Sequence, residues 1–289
     1  MFRVSSVWFK RFCYRFLIIS IIGGALPLEV PQVQAEPKSA TSSPSEVQTQ
    51  EMKGPKKLAI VIDDLGNDMD GTEEIMAMPI KLTVAVMPFL RSTKRDAQMA
   101  HERGFDVLVH LPMEPIRGKP EWLGPGAIIS SMSDSEIRRK VEQAIDDVPY
   151  AVGINNHMGS KITANPRIMS IILDVCRERG LFFLDSRTNY KTVVGKLCKE
   201  KGMPDIGNQF FLDDQCTSSH ITRQMNKVMT WMEDHERCVI IGHVGLSGTK
   251  TASVIRNSIS KMDVEYVTLS ELVHEQHAGQ SNPLLDLFP

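Results

Sequence analysis

The stretch KLAIVIDDLG, residues 57–66, decides the fold. Five consecutive apolar residues, Leu58 to Ile62, leave no polar face for solvent, as in a strand of a parallel sheet covered on both sides. The run then ends on two adjacent carboxylates, Asp63 and Asp64. Like charges side by side raise the free energy unless a cation, a shared proton or a hydrogen-bond network offsets them. A helix N-cap would employ one aspartate and leave the other without a task.

Similar short apolar runs recur at 82–87, 106–111, 151–156, 181–185, 208–213, 238–243 and 264–269. Between them lie amphipathic segments with legible ends. Ser133 and Glu136 form a capping box, and Asn165, Pro166 and Gly180 frame a helix as N-cap, first residue and terminator. Ile221, Met225, Val228, Met229 and Met232 share one face of a third helix, a stripe suited to a core. Alternating strands and helices over roughly 220 residues predict an α/β chain: a distorted (β/α) barrel of about seven parallel strands in a single domain. A dinucleotide-binding sheet is disfavoured, because no glycine-rich turn follows the first strand and its end carries acids where a pyrophosphate needs amides.

The chain has 289 residues, 42% of them hydrophobic and 24% charged, with a net charge of −2. That composition supports a large core and argues against nucleic acid as a partner. Residues 1–35 read as a signal peptide: Arg3, Lys10, Arg11 and Arg15 precede the apolar run 16–26, and small residues follow at 33–35. The run is shorter than the roughly 20 residues that span a bilayer, so membrane association is expected only if this segment stays uncleaved. Export to the periplasm is the expectation. Residues 36–56 have the composition of a disordered linker, 57–275 form the folded domain, and 276–289 form a tail. Cys13 leaves with the signal, while Cys176, Cys198, Cys216 and Cys238 remain. Cys198 with Cys216 is one of three pairings open to them, and Cys176 and Cys238 suit inert core thiols equally well.

The C-terminal ends of parallel barrel strands build the functional mouth. Those ends carry Asp63 and Asp64, His110, Asn156 and His157, Asp185, Asp213 and Asp214, and His243. Glu114 follows His110 by four residues, and Arg187 follows Asp185 by two. Glu114 is expected in the mouth as a catalytic carboxylate, and Asn156, Asp185 and Arg187 as substrate-binding groups. Each has a bland alternative: a rim carboxylate on a loop amide for Glu114, and an ion pair for Asp185 with Arg187. Carboxylates and imidazoles in one mouth suit a divalent metal, with zinc the expected ion. Held by one carboxylate and two imidazoles, such an ion activates water and polarises a carbonyl, which leaves the second acid free to act as a base.

The motifs AIVIDDLG, LVHLPMEP, GINNHMGS, FFLDSRT and IIGHVG, in this order and spacing, resemble those of the divergent polysaccharide deacetylases. The resemblance covers about residues 57–272. It implies a distorted (β/α) barrel, Asp63 as catalytic base, Asp64 as metal ligand and His243 as general acid. Better-known relatives carry two metal-binding histidines four residues apart, whereas here Glu114 stands four residues after His110. The second imidazole must come from elsewhere, and His157 is the candidate. The expected function is a metal-dependent hydrolase that removes acyl groups, N-acetyl above all, from an envelope or extracellular polysaccharide or peptidoglycan-like glycan. The alternative is a non-catalytic glycan- or protein-binding module on the same barrel. A metal phosphodiesterase would call for more cations at the mouth than Lys161 and Arg187.

Overall fold

The computed structural model describes residues 54–278, which fall within one compact unit. In chain order the elements are β1 (Lys57–Leu65), α1 (Thr72–Met76), β2 (Thr83–Val86), α2 (Thr93–Glu102), β3 (Asp106–Met113) and α3 (Asp134–Asp147). They continue with β4 (Ala151–Met158), α4 (Pro166–Glu178), β5 (Phe182–Asp185), α5 (Val194–Glu200), β6 (Ile206–Gly207) and β7 (Phe210–Phe211). The last are α6 (Ser218–Asp234), β8 (Arg237–His243), α7 (Gly248–Ser258), β9 (Glu265–Val267) and α8 (Leu269–Ala278). The expected signal peptide, nearly all of the linker and residues 279–289 of the tail lie outside the described residues.

All strand pairings are parallel, in the order β6-β5-β4-β3-β2-β1-β8-β7, with β9 also on β1. The curled sheet is a barrel left open between β6 and β7. Asn208 and Gln209 bridge this seam. Asn208 donates its amide to the Asp185 carbonyl at 2.9 Å, and Gln209 exchanges bonds with Val239 at 2.9 and 2.6 Å. Those contacts limit the strand expected over 208–213 to two residues and form the short β6 before it. The strand expected over 264–269 also shortens. Thr268 and Glu271 cap each other reciprocally at 3.0 and 3.4 Å and start α8 at Leu269.

Side chains alternate across each strand. One row, including Leu58, Ile60, Ile62, Val107, Val109, Ile154 and Phe183, packs under the surrounding helices. The other, including Ala59, Val61, Leu108, Leu184, Val239 and Ile241, fills the barrel interior. Leu269, Leu272 and Val273 of α8 join that interior row. Their helix lies across the N-terminal end of the barrel, where Lys57 and Lys81 pair with Glu275 and Glu271. At the same end Thr83 accepts the Leu269 amide at 2.9 Å, while Asp106 accepts the Ser270 amide at 2.6 Å and its hydroxyl at 2.9 Å. Thus α8 stops the bottom of the barrel and runs to Ala278, past the expected domain end at 275. Among the described residues, no helix is long and apolar enough to cross a membrane.

Asp106→Ala strands two donors of the α8 first turn, so it should destabilise the domain by about 1–2 kcal/mol. For a domain of this size that is a fall of roughly 3–6 °C in Tm by calorimetry. An unchanged Tm would contradict this account of how the barrel is closed.

Candidate functional site

Followed to the C-terminal mouth, the interior row changes character. After Ala59 and Val61 on β1 comes Asp63; after Leu108 on β3 comes His110; after Val239 and Ile241 on β8 comes His243. On β4 the row runs through Gly153 to Asn155 and His157. Strand register reinforces the convergence, pairing Asp63 with His243 and His110 with Asn155.

Strict alternation would send Asp64 outward. Instead the β1–β2 register slips between Ile62 and Leu65, and Asp64 takes a left-handed backbone conformation with φ 71°. A bulge of this kind re-aims a side chain, and aspartate tolerates the conformation better than most residues. Both acids therefore reach the mouth, Asp63 buried and Asp64 partly exposed.

Three ligand-type atoms meet there. Asp64 Oδ1 lies 3.2 Å from His110 Nε2 and 3.0 Å from His157 Nδ1, and the two ring nitrogens are 3.1 Å apart. His157 thus comes close enough to complete the set, which groups Asp64, His110 and His157 within 4.8 Å. The far side of each ring explains the geometry. Asn155 donates to Asp63 Oδ1 at 2.8 Å, which turns its own carbonyl oxygen to His110 Nδ1, also at 2.8 Å. His157 Nε2 lies 3.1 Å from the backbone carbonyl of Trp122, a pure acceptor. With the Asn155 oxygen on one ring and the Trp122 carbonyl on the other, Nε2 of His110 and Nδ1 of His157 are the nitrogens that face the carboxylate. Asp64 Oδ1 is buried with no hydrogen bond of proper geometry. One carboxylate oxygen and two ring nitrogens around one point form a donor set that would suit a divalent metal.

Charge reflects this crowding. Burial pushes the Asp63 carboxyl above the ordinary value, against the pull of His110 and His243. Burial pushes Asp64 the same way, but the His110 and His157 rings overcome it and hold the group well below the carboxylate range. His110 is pulled down by burial, yet Asp63 and Asp64 leave it raised.

Across the mouth, His243 Nδ1 donates to Asp213 Oδ1 at 2.7 Å. The other Asp213 oxygen accepts from the His243 amide at 2.9 Å, Ser247 Oγ at 2.9 Å and Thr251 Oγ1 at 2.7 Å. Burial pulls the His243 imidazolium down, but Asp213, Asp64 and Asp63 together push it up to about 9. Asp213, raised by burial, is lowered overall by His243 and its hydroxyl donors.

Four expected site residues are not brought to this cluster. Glu114 accepts from Ser130 N and from Lys161 Nζ, each at 2.6 Å, so it is the rim carboxylate on a loop amide. Asn156, of opposite parity to Asn155, points away from the interior and bonds Ser186 N at 3.0 Å and Met158 O at 2.7 Å. Asp185 likewise follows the outward-facing Phe183 and accepts the Arg187 amide at 2.8 Å. The Arg187 guanidinium donates to the Asn208 carbonyl at 3.2 Å. Asn155 is the residue that sequence reasoning missed, although the two-residue period it shares with His157 was a signal for it. Asp213, one of the acids read at the strand ends but given no role, is the partner of His243. The cysteine pairing offered for Cys198 and Cys216 does not form either. All four thiols are free, and burial pushes those of Cys198 and Cys238 up to about 12.

The sequence pattern of the divergent polysaccharide deacetylases matches residues 60–273, and the chain belongs to that family. It is 33% identical over 234 residues to an uncharacterised protein of Haemophilus influenzae, covering 80% of this chain and 82% of that one. To the uncharacterised protein YibQ of Escherichia coli it is 34% identical over 235 residues, covering 81% and 72%. The crystal structure of an uncharacterised Agrobacterium tumefaciens protein superposes with a TM-score of 0.70 at 20% identity, over 76% of this chain and 89% of that one, and shares the fold.

The His243–Asp213 pair is fully formed only while the ring is protonated and the carboxyl ionised. Its stabilisation is complete below the ordinary histidine pKa, is lost as pH rises through about 9, and at the acid end is lost as Asp213 protonates below the usual carboxylate range. In metal-free protein, NMR titration of the His243 ring should show a pKa of about 9, falling toward the ordinary histidine range in Asp213→Asn. A value unmoved by that substitution would contradict the pairing.

Proposed function

We propose that this protein is a metal-dependent hydrolase that removes N-acetyl groups from an envelope polysaccharide, with Asp64, His110 and His157 holding the ion, zinc by preference. The observation that carries the proposal is the convergence of one carboxylate oxygen and two ring nitrogens beside a buried carboxylate and opposite an imidazole paired with Asp213. When bound, a divalent ion would lower the pKa of water and polarise the amide carbonyl.

The chain's own groups supply the rest. Asp63, made more basic by burial and held in place by the Asn155 amide, takes the proton of the attacking water. His243, kept protonated by Asp213, gives its proton to the leaving amine as the C–N bond breaks. The products are acetate and the free amino sugar. Residues 1–35 support the further proposal that the chain acts outside the cytoplasm, in the periplasm, because they carry the basic and apolar pattern of an export signal.

Acetate release from N-acetylated oligosaccharides tests the reaction. Asp63→Asn and His243→Ala should each lower kcat by about 10²–10⁴ while leaving metal stoichiometry unchanged. Failure of the wild-type protein to release acetate with zinc or any other divalent ion would overturn the hydrolase proposal in favour of a glycan- or protein-binding module.

A further inference from the structure

The turn that follows β1 is gripped by the start of α2. Gly66 donates its amide to Asp96 Oδ2 at 2.9 Å and accepts the Ser92 amide at 2.9 Å, while the Asp68 amide donates to Ser92 Oγ at 2.9 Å. Ser92 Oγ in turn donates to Asp96 Oδ2 at 2.8 Å. On the outside, Arg91 and Arg95 both pair with the Asp68 carboxylate. Gly66 fits this place because it has no side chain: its φ is 115°, and a Cβ there would stand 2.8 Å from the Met87 carbonyl oxygen.

Two features of α2 are not explained by the helix itself. Ser92 stands at its N-cap, yet its hydroxyl caps no amide of the helix and goes to the Asp68 amide and to Asp96 instead. An acid in the first turn would suit the helix dipole just as well from the surface, but Asp96 is completely buried. Burying a carboxylate is costly, and its one cationic partner among the described residues is Arg95, on the other oxygen at 3.1 and 2.8 Å. Both choices serve the turn after β1 rather than the helix.

That turn begins two residues after Asp64, whose φ of 71° turns its carboxylate into the mouth. Asp63 is anchored by the Val244 amide on its carbonyl at 3.1 Å and Leu65 by the Met87 amide at 2.8 Å, and the Gly66 amide is the next group along the chain to be fixed. Asp96 itself bonds none of the mouth residues. It lies on the helix side of the sheet, where Ala97 and Ala100 of α2 pack with the outward row. Resting on the proposal that Asp64 binds the metal, we propose that Asp96, together with Ser92, is a positioning residue for Asp64, acting through the backbone from the far side of the sheet. Without this brace the strained residue relaxes toward extended backbone, and strand alternation then turns its side chain away from His110 and His157.

Zinc calorimetry on purified protein reads the brace without turnover. Asp96→Ala should weaken zinc binding by about 10- to 100-fold with one equivalent retained, and Ser92→Ala, which keeps the carboxylate, by about 5-fold. Asp96→Asn keeps an oxygen for the Gly66 amide and should recover most of the loss. Asn as damaging as Ala would mean that the charge acts on the ion directly, and would overturn the brace. Asp106→Ala, at the other end of the barrel, lowers Tm and should leave zinc affinity at the wild-type value; an equal loss there would reduce Asp96 to general support of the fold. In a metal-free crystal structure of Asp96→Ala, Asp64 should leave the positive-φ region and its Oδ1 should part from His157 Nδ1. An unmoved Asp64, or wild-type zinc affinity in Asp96→Ala, would overturn the proposal. Wild-type protein that takes up no zinc would sink the ligand set, and the place of Asp64 in the metal-free variant would then decide the brace alone. The expected losses of affinity without acetate release from the wild type would keep the brace and sink the hydrolase.

Discussion

Everything at the mouth depends on the two-residue period of strands whose other face is already committed to helices. On β1, β3 and β8 the outward row, Leu58 to Ile62, Val107 to Met113 and Cys238 to Ile240, is apolar because α-helices cover it, so a polar group needed inside falls on the inward row. That row is apolar until its last one or two positions. There it becomes acidic and imidazole-bearing on β1, β3, β4 and β8 at once. The single exception, Asp64, needed a break in register and a left-handed backbone to join the others. Local strain of this sort persists only where the surroundings hold it, and it gathers at functional sites.

Burying Asp63 at 2% exposure would be costly without a donor, and Asn155 is that donor. The same amide, through its oxygen, holds His110 Nδ1 at 2.8 Å, so that Nε2 faces Asp64. One buried side chain therefore sets both the orientation of the proposed base and the nitrogen that His110 presents to Asp64. The Trp122 carbonyl sets the corresponding nitrogen on His157. Such outer partners decide whether two imidazoles and a carboxylate repel one another or form a ligand set. The second ring comes from the strand beside that of His110, and Glu114, four residues after His110, braces the rim with Lys161.

Much of this was legible in the sequence because strands covered on both faces are continuous apolar runs that end abruptly. Asp63, Asp64, His110, His157 and His243 stand out as polar residues at those ends. The errors have physical sources. Asn156 and Asp185 stand at strand ends but on the outward parity, whereas Asn155 shares the inward row with His157. Asp213 stood among the strand-end acids with no role assigned, since its hydroxyl donors, Ser247 and Thr251, lie more than thirty residues further on. The strand read over 264–269 ran into α8 because its cap, Thr268 with Glu271, sits inside an apolar stretch.

The central claim is that Asp64, His110 and His157 form one ligand set, with Asn155 fixing the nitrogen that His110 presents. Zinc stoichiometry and affinity of purified protein, by calorimetry with parallel elemental analysis, test it most directly. The account predicts one equivalent in the wild type, none in His157→Ala, and an affinity lowered about 10- to 100-fold in Asn155→Ala with stoichiometry retained. Wild-type protein that takes up no divalent ion, or His157→Ala protein that binds it as well as wild type, would contradict it.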